Sequence, residues 1–163
     1  MRKLVISAIA IALSLTSFAP AGAATKSVKG NAGQVLSAST GAIKSGNAVT
    51  VTVTGNHFDE TVGIYLAFCV LPKTGGLPTP CGGGINKAGE SNASFWISSN
   101  PPPYGIGLAR EFLPGGRFKM KLLISKMIGK SDCTKVKCAI TVRADHLRNE
   151  DRSYDLFIPI TVK

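Results

Sequence analysis

The sequence predicts an all-β domain built as an antiparallel sandwich of about seven strands with two disulfides. Three observations carry that prediction. Val49, Val51 and Val53 alternate with Thr50, Thr52 and Thr54, the period-two pattern of a half-buried strand. Further short runs of β-branched and aromatic residues recur along the chain, separated by glycine, proline and asparagine turn signals. No segment carries the apolar spacing of an amphipathic helix. Local connections and regular turns favour an immunoglobulin-like arrangement, with a small closed barrel as the alternative.

The elements follow in order. Met1, Arg2 and Lys3 precede an apolar run over residues 4–18, and Ala21-Gly22-Ala23 supplies small residues for cleavage. Residues 1–23 therefore read as a signal peptide. The run falls short of the ~20 residues a spanning helix needs, so removal is expected rather than anchoring. No second long apolar run follows, and no transmembrane segment is expected after cleavage. Residues 24–32 are small and polar, with Lys26 and Lys29, and read as a flexible arm. Residues 33–163 form the sandwich domain. Val35, Leu36 and Ala38 begin its first strand, and the valine–threonine strand follows the turn Ser45-Gly46-Asn47. Residues 62–71 are nearly all apolar and read as a central strand covered on both faces, with Tyr65 in the core. Phe95-Trp96-Ile97, residues 117–125, residues 138–143 and residues 156–162 supply the rest. Three consecutive prolines, Pro101 to Pro103, exclude helix between them. Pro159 places the last strand at an edge or a bulge.

Four cysteines behind an export signal read as a disulfide framework in an oxidising compartment, secreted or otherwise extracytoplasmic. Four allow three connectivities. The local pairs Cys69–Cys81 and Cys133–Cys138 are favoured, because each closes a short loop beside a strand. Loop-closure entropy gives roughly 3 kcal/mol for the longer loop and roughly 2 kcal/mol for the shorter. About 140 residues also bury a real core, so the bridges support it rather than replace it.

The formal charge is +10, and without Arg2 and Lys3 the 19 basic residues become 17 against 9 acidic, or +8. Eleven of the 17 lie between Arg110 and Arg152. Such a field favours solubility and anionic surfaces. Direct nucleic-acid binding is not expected, since this tract has no run of consecutive basic residues and no aromatics interleaved in a nucleic-acid pattern.

The segment Asp132-Cys133-Thr134-Lys135-Val136-Lys137-Cys138, followed by a strand, a polar loop and a terminal strand, resembles neocarzinostatin-type apoproteins. Cys69 and Cys81 bracket a loop after a central strand, where that family has its other disulfide. Ser45-Gly46, Val49-Thr50-Val51, Gly55 and Phe58 resemble its first sheet. A closer likeness is to actinobacterial secreted domains of this type, some of which accompany haem-transport-associated modules. It rests on Thr141-Val142-Arg143-Ala144-Asp145-His146, on Asp151-Arg152-Ser153 with Asp155, and on Cys81-Gly82-Gly83-Gly84. The resemblance covers roughly residues 35–162 and implies the sandwich and its two disulfides. Antibiotic-carrying members hold an aromatic enediyne chromophore in a cleft. They place a tryptophan shortly after the first cysteine of the longer disulfide, where this chain has Val70 or Leu71. They place a glutamine after the last cysteine, where this chain has Ala139. They are usually acidic, and this chain is basic. The fold carries over; the ligand residues do not.

A non-enzymatic binding module of the cell envelope is the functional expectation, with loops presented around a cleft. The candidate ligand-binding residues are Leu71, Ile85, Trp96, Tyr104, Arg143, Asp145 and His146, although Trp96 also reads as packing near the core. The guest is an apolar small molecule, haem or an anionic wall polymer; the alternative is an antibiotic or chromophore carrier. No cofactor is required. Haem ligation would need histidine or tyrosine, which singles out Tyr104 and His146. Arg117, Lys119 and Lys121 alternate with Phe118, Met120 and Leu122, and with Lys135 and Lys137 they form a candidate basic patch for the polymer. The same lysines serve equally well to protect an edge strand.

Other motifs carry less. Leu71-Pro72-Lys73-Thr74-Gly75 spells a sortase signal but lies between two cysteines, ahead of folded sequence. Asp145, His146 and Ser153 lack a nucleophile elbow, so no catalytic residue is assigned. The Cys-x11-Cys spacing does not suit zinc.

Overall fold

The computed structural model describes residues 24–73, 75–84 and 89–163. The signal peptide assigned to residues 1–23, Thr74 of the sortase-like motif, and Ile85 lie outside the described residues.

The chain runs through β1 (Lys26–Lys29), β2 (Val35–Ala38), β3 (Ala42–Ile43), β4 (Val49–Asn56), β5 (Ile64–Val70) and β6 (Ser94–Ile97). It continues through β7 (Phe118–Ile124), β8 (Met127–Ile128), β9 (Ser131–Asp132), β10 (Cys138–Ala144), β11 (Leu156–Pro159) and β12 (Thr161–Val162). Two four-stranded antiparallel sheets result, in the orders β1-β2-β4-β7 and β11-β10-β5-β6. The fold is the all-β sandwich expected, with both disulfides formed between the local pairs Cys69–Cys81 and Cys133–Cys138.

Period-two burial explains why these segments pair. Val51 and Val53 are fully buried while Thr52 and Thr54 stay partly open, and Val49 and Thr50, at the strand's start, are exposed. Leu36 and Leu122 join them from β2 and β7; Ile64, Leu66 and Phe68 from β5 and Ile140 and Val142 from β10 complete the core. Phe58, Phe112 and Phe118 close one end, with ring centroids 5.4 to 6.3 Å apart. On β7, Phe118, Leu122 and Ile124 point inward, and Lys119 and Lys121 face solvent on the edge of the first sheet.

The structure corrects the sequence reading in four places. The supposed arm contains β1, which pairs with β2 from Lys26↔Ala38 to Lys29↔Val35. Its single apolar residue, Val28, packs on the core, too sparse a pattern to read as a strand. The four-residue strand is lysine-bearing and sits at a sheet edge, as protected edges do. The last expected strand is interrupted at Ile160; Pro159 lies on edge strand β11, while β12 crosses to pair with β3 in parallel. Tyr65 and Trp96 are not core residues: both are half-buried on the outward face of the second sheet.

Gly116 shows how tightly the β4–β7 connection is fixed. Gly116 has φ 60°, and its carbonyl accepts from Phe58 N–H at 3.1 Å. The Glu60 carboxylate accepts from the N–H groups of Gly115 and Gly116, each at 2.8 Å. A Cβ on Gly116 would collide with the Phe58 backbone, whereas one on Gly115, at φ 83°, meets nothing within 4 Å. Gly115→Ala should cost about 1–2 kcal/mol of left-handed strain. Gly116→Ala should cost at least about 3 kcal/mol, because strain and backbone collision add. Urea denaturation of the two variants checks this order, and equal losses would refute it.

Candidate functional site

The outward face of the second sheet is hollow. Residues 65, 67 and 69 of β5 point away from the core, as do Thr141 and Arg143 of β10 and Ser94 and Trp96 of β6. Cross-strand register sorts these side chains into rows. Arg143, Tyr65 and Trp96 form a large row; Thr141, Ala67 and Ser94 form a small one; Ala139, Cys69 and Cys81 form the next. Small side chains in the middle rows leave depth between bulkier neighbours. Two loops turn the depth into a cleft of about 490 Å³.

One wall is Pro78 with the Cys81–Gly84 turn, and the disulfide bolts it to β5. Backbone bonds reinforce it: Gly82 N–H donates to Phe68 O at 2.8 Å and Val70 N–H to Pro80 O at 3.0 Å. The opposite wall comprises Tyr104, Leu108 and Arg110. It begins with the short 3-10 turn Pro103–Gly105, which the prolines impose. It returns to the sheet through Arg110 N–H to Trp96 O and Ser98 N–H to Arg110 O, both at 2.8 Å. Gly105 is buried against the Trp96 ring, where a Cβ would not fit.

A polar network ties this wall to β10. Trp96 Nε1 donates to Asp145 Oδ2 at 2.9 Å, and Leu147 N–H donates to Asp145 Oδ1 at 3.0 Å. Asp145 is only 1% exposed, with both oxygens engaged. His146 bridges two phenols: Tyr65 Oη meets Nδ1, and Tyr104 Oη meets Nε2 at 2.7 Å. A neutral imidazole satisfies both, donating from one nitrogen and accepting at the other. Tyr104 stacks on Trp96, centroids 6.3 Å apart, and the edge of His146 approaches Trp96 at 5.1 Å. Arg143 Nη2 donates to Asn149 O at 3.0 Å and Oδ1 at 2.7 Å, while its buried Nε has no partner among the described residues.

Of the residues singled out from sequence, Trp96, Tyr104 and Arg143 line the cleft. Asp145 and His146 stand behind that lining, because β10 ends at Ala144 and the chain turns into a 3-10 turn capped by Asp145. Leu71 does not line it: the chain leaves the sheet after Val70, and Leu71 N–H bonds Lys137 O at 2.8 Å. Ser153 Oγ donates to Asp151, not to a histidine, so no Ser–His–Asp relay forms there. Arg117, Lys119 and Lys121 lie on or beside β7 of the first sheet, whereas Lys135 and Lys137 lie in the short disulfide loop leading into the second. Sequence reasoning missed Ala67, Cys69, Thr141, Leu108 and Arg110 as lining residues. The signal was the period-two set Tyr65, Ala67, Cys69 within an apolar strand, whose small members mark a face that something else must cover.

No protein-family model matches the chain, and no curated protein sequence does. Among solved structures, the fold is similar to macromomycin, with a TM-score of 0.50 and 13% identity over 86% of this chain and 100% of that one. At that identity the likeness speaks for the fold alone, and it agrees with a neocarzinostatin-like sandwich.

Burial, and after it the nearby Asp145 carboxylate, raises the Tyr65 phenol above its ordinary value near 10. Folding therefore favours the neutral phenol. The associated stability is complete below pH about 10 and is lost as pH rises through the folded-state value. Urea midpoints should fall with pH above about 10, and less steeply in Tyr65→Phe. Tyr154, also raised by burial, keeps some slope in the variant. An unchanged slope would remove Tyr65 from the account.

Proposed function

We propose that the chain is an exported, non-enzymatic protein that binds an apolar small molecule in the cleft over β5, β10 and β6. One observation carries the reading. A 490 Å³ hollow with a floor of small side chains is walled by Trp96, Tyr104 and Leu108 and stapled by a disulfide. Its size lies within the range typical of small-molecule sites, roughly 300–1,000 Å³. The walls are fixed by covalent and hydrogen bonds before any guest arrives, which reduces the ordering cost of binding. Export is supported by the leader expected over residues 1–23 and by two disulfides that suit an oxidising compartment. No helix among the described residues is long and apolar enough to cross a membrane.

Carriage of an antibiotic or chromophore is a narrower form of this reading, favoured by the likeness in fold. A coloured species co-purifying from the native host would establish it. A haem guest would have to take Tyr104 or His146 from the bond that joins them, and an unshifted Soret band on titration would eliminate it. An anionic wall polymer would use the exposed lysines instead, with binding that weakens steeply in salt.

Trp96 is the only tryptophan in the chain and lines the cleft, so its fluorescence reports occupancy. N-phenyl-1-naphthylamine, a neutral apolar probe, should quench Trp96 saturably. Ala67→Phe should fill the floor and weaken the probe by tenfold or more, with circular dichroism unchanged. Quenching that survives Ala67→Phe would overturn the cleft as the binding site.

A further inference from the structure

We infer that the guest is an organic anion: an apolar, ring-bearing body with a single oxyanion head such as a carboxylate or sulfonate. This rests on the binding role proposed for the cleft. Among the described lining residues the charged ones are Arg110 and Arg143, and no acidic side chain is among them. Both arginines are held in place while keeping donor capacity. Asn149 takes Arg143 Nη2 through two bonds, and that fixes the guanidinium plane. Nε stays buried without a partner among the described residues. Nη1 makes no hydrogen bond among the described residues, so Arg143, a lining residue, keeps donors for an oxyanion in the cleft. Arg110 is anchored through its backbone to Trp96 and Ser98. Its guanidinium makes no hydrogen bond or ion pair among the described residues.

The nearby acid gives neither cleft arginine a direct partner. Asp145 is buried behind Trp96, with its two oxygens committed to Trp96 Nε1 and Leu147 N–H. The ion pair found among the described residues, Arg152–Asp155, involves neither cleft arginine. A guanidinium offers planar, paired donors that fit carboxylate-like heads. Trp96, Tyr104 and Leu108 offer the surface for an apolar body. A cationic guest would meet two like charges in a confined site, and a neutral one would leave both cleft guanidinium groups without a counter-charge.

A matched pair of probes tests this on the full mature chain. 8-Anilinonaphthalene-1-sulfonate and N-phenyl-1-naphthylamine share one aromatic body, and only the first carries an anionic group. Titrated against Trp96 fluorescence, the sulfonate should bind at least tenfold tighter. Arg143→Gln and Arg110→Gln should each lower sulfonate affinity by about tenfold and change that of the neutral probe less than twofold. Arg143→Lys should recover part of the loss, which separates a charge effect from loosening at Asn149. Lys119→Gln with Lys121→Gln, on the distant edge strand, should leave both probes unchanged. Equal affinities, or a sulfonate preference that both glutamine variants retain, would overturn the anion assignment while leaving the cleft intact. A sulfonate preference that falls with Lys119 and Lys121 instead would assign it to the outer surface and overturn the assignment as well. Failure of both probes to quench Trp96 would sink the binding reading together with it.

Discussion

Strand β5 must satisfy two interiors at once, and the rest of the molecule depends on how it does so. Its even-numbered residues Ile64, Leu66 and Phe68 are buried in the core between the sheets. Its odd-numbered residues Tyr65, Ala67 and Cys69 face the other way, into a space that only loops cover. Strand geometry permits this because successive side chains alternate in direction. A one-residue slip would exchange the two sets, putting a phenol and a sulfur into the core. Seven register positions to β10 and four to β6 hold the strand against that slip. The sulfur at Cys69 then binds the covering loop to the strand that needs covering.

Covering the opposite side takes a different chemistry. The loop from Asn100 to Arg110 has no disulfide, and its prolines remove backbone donors. Backbone bonds hold only its end at Arg110, and side chains hold the rest. Trp96 lies under Gly105 and donates to Asp145, while Tyr104 reaches over to His146, whose other nitrogen meets Tyr65. Desolvating Asp145 this deeply is tolerable because both of its oxygens accept hydrogen bonds. The cleft therefore has one covalently fixed wall and one wall held by exchangeable hydrogen bonds. If either wall yields to admit a guest, the second has the smaller barrier.

Much of the sandwich was legible in the sequence, because burial writes a period of two into β4 and β7 and a continuous apolar run into β5. Cys69–Cys81 and Cys133–Cys138 were favoured because each closes a short loop beside a strand, although sequence alone left three connectivities open. β1 was not legible, since a short edge strand carrying lysines shows almost no alternation. The parallel β3–β12 contact was not either, because two-residue strands leave no periodic signal. At the site, Trp96, Tyr104 and Arg143 stood out by residue type, which is how functional residues are usually noticed. Ala67, Thr141 and Gly105 did not, since their role is to be small. A hollow is made by what is missing from a strand, and absence has no sequence signature until the facing strands are known.

Charge needs the same separation of near from far. Most basic residues between Arg110 and Arg152 project into solvent, and Lys119 and Lys121 sit on the edge of the sheet that does not form the cleft. At physiological salt the screening length is about 8 Å, so exposed charges at greater distance contribute little to selection inside a pocket. They increase the frequency of encounters with anions and keep the edge strand from pairing with another chain. Selection has to come from groups within contact distance, in a space partly shielded from water. Arg143, half-buried in the cleft lining, meets that requirement, and Arg110 on the facing wall adds to it. The net positive charge is thus two features in one number: a soluble outer field, and a local pair whose position the strand register determines.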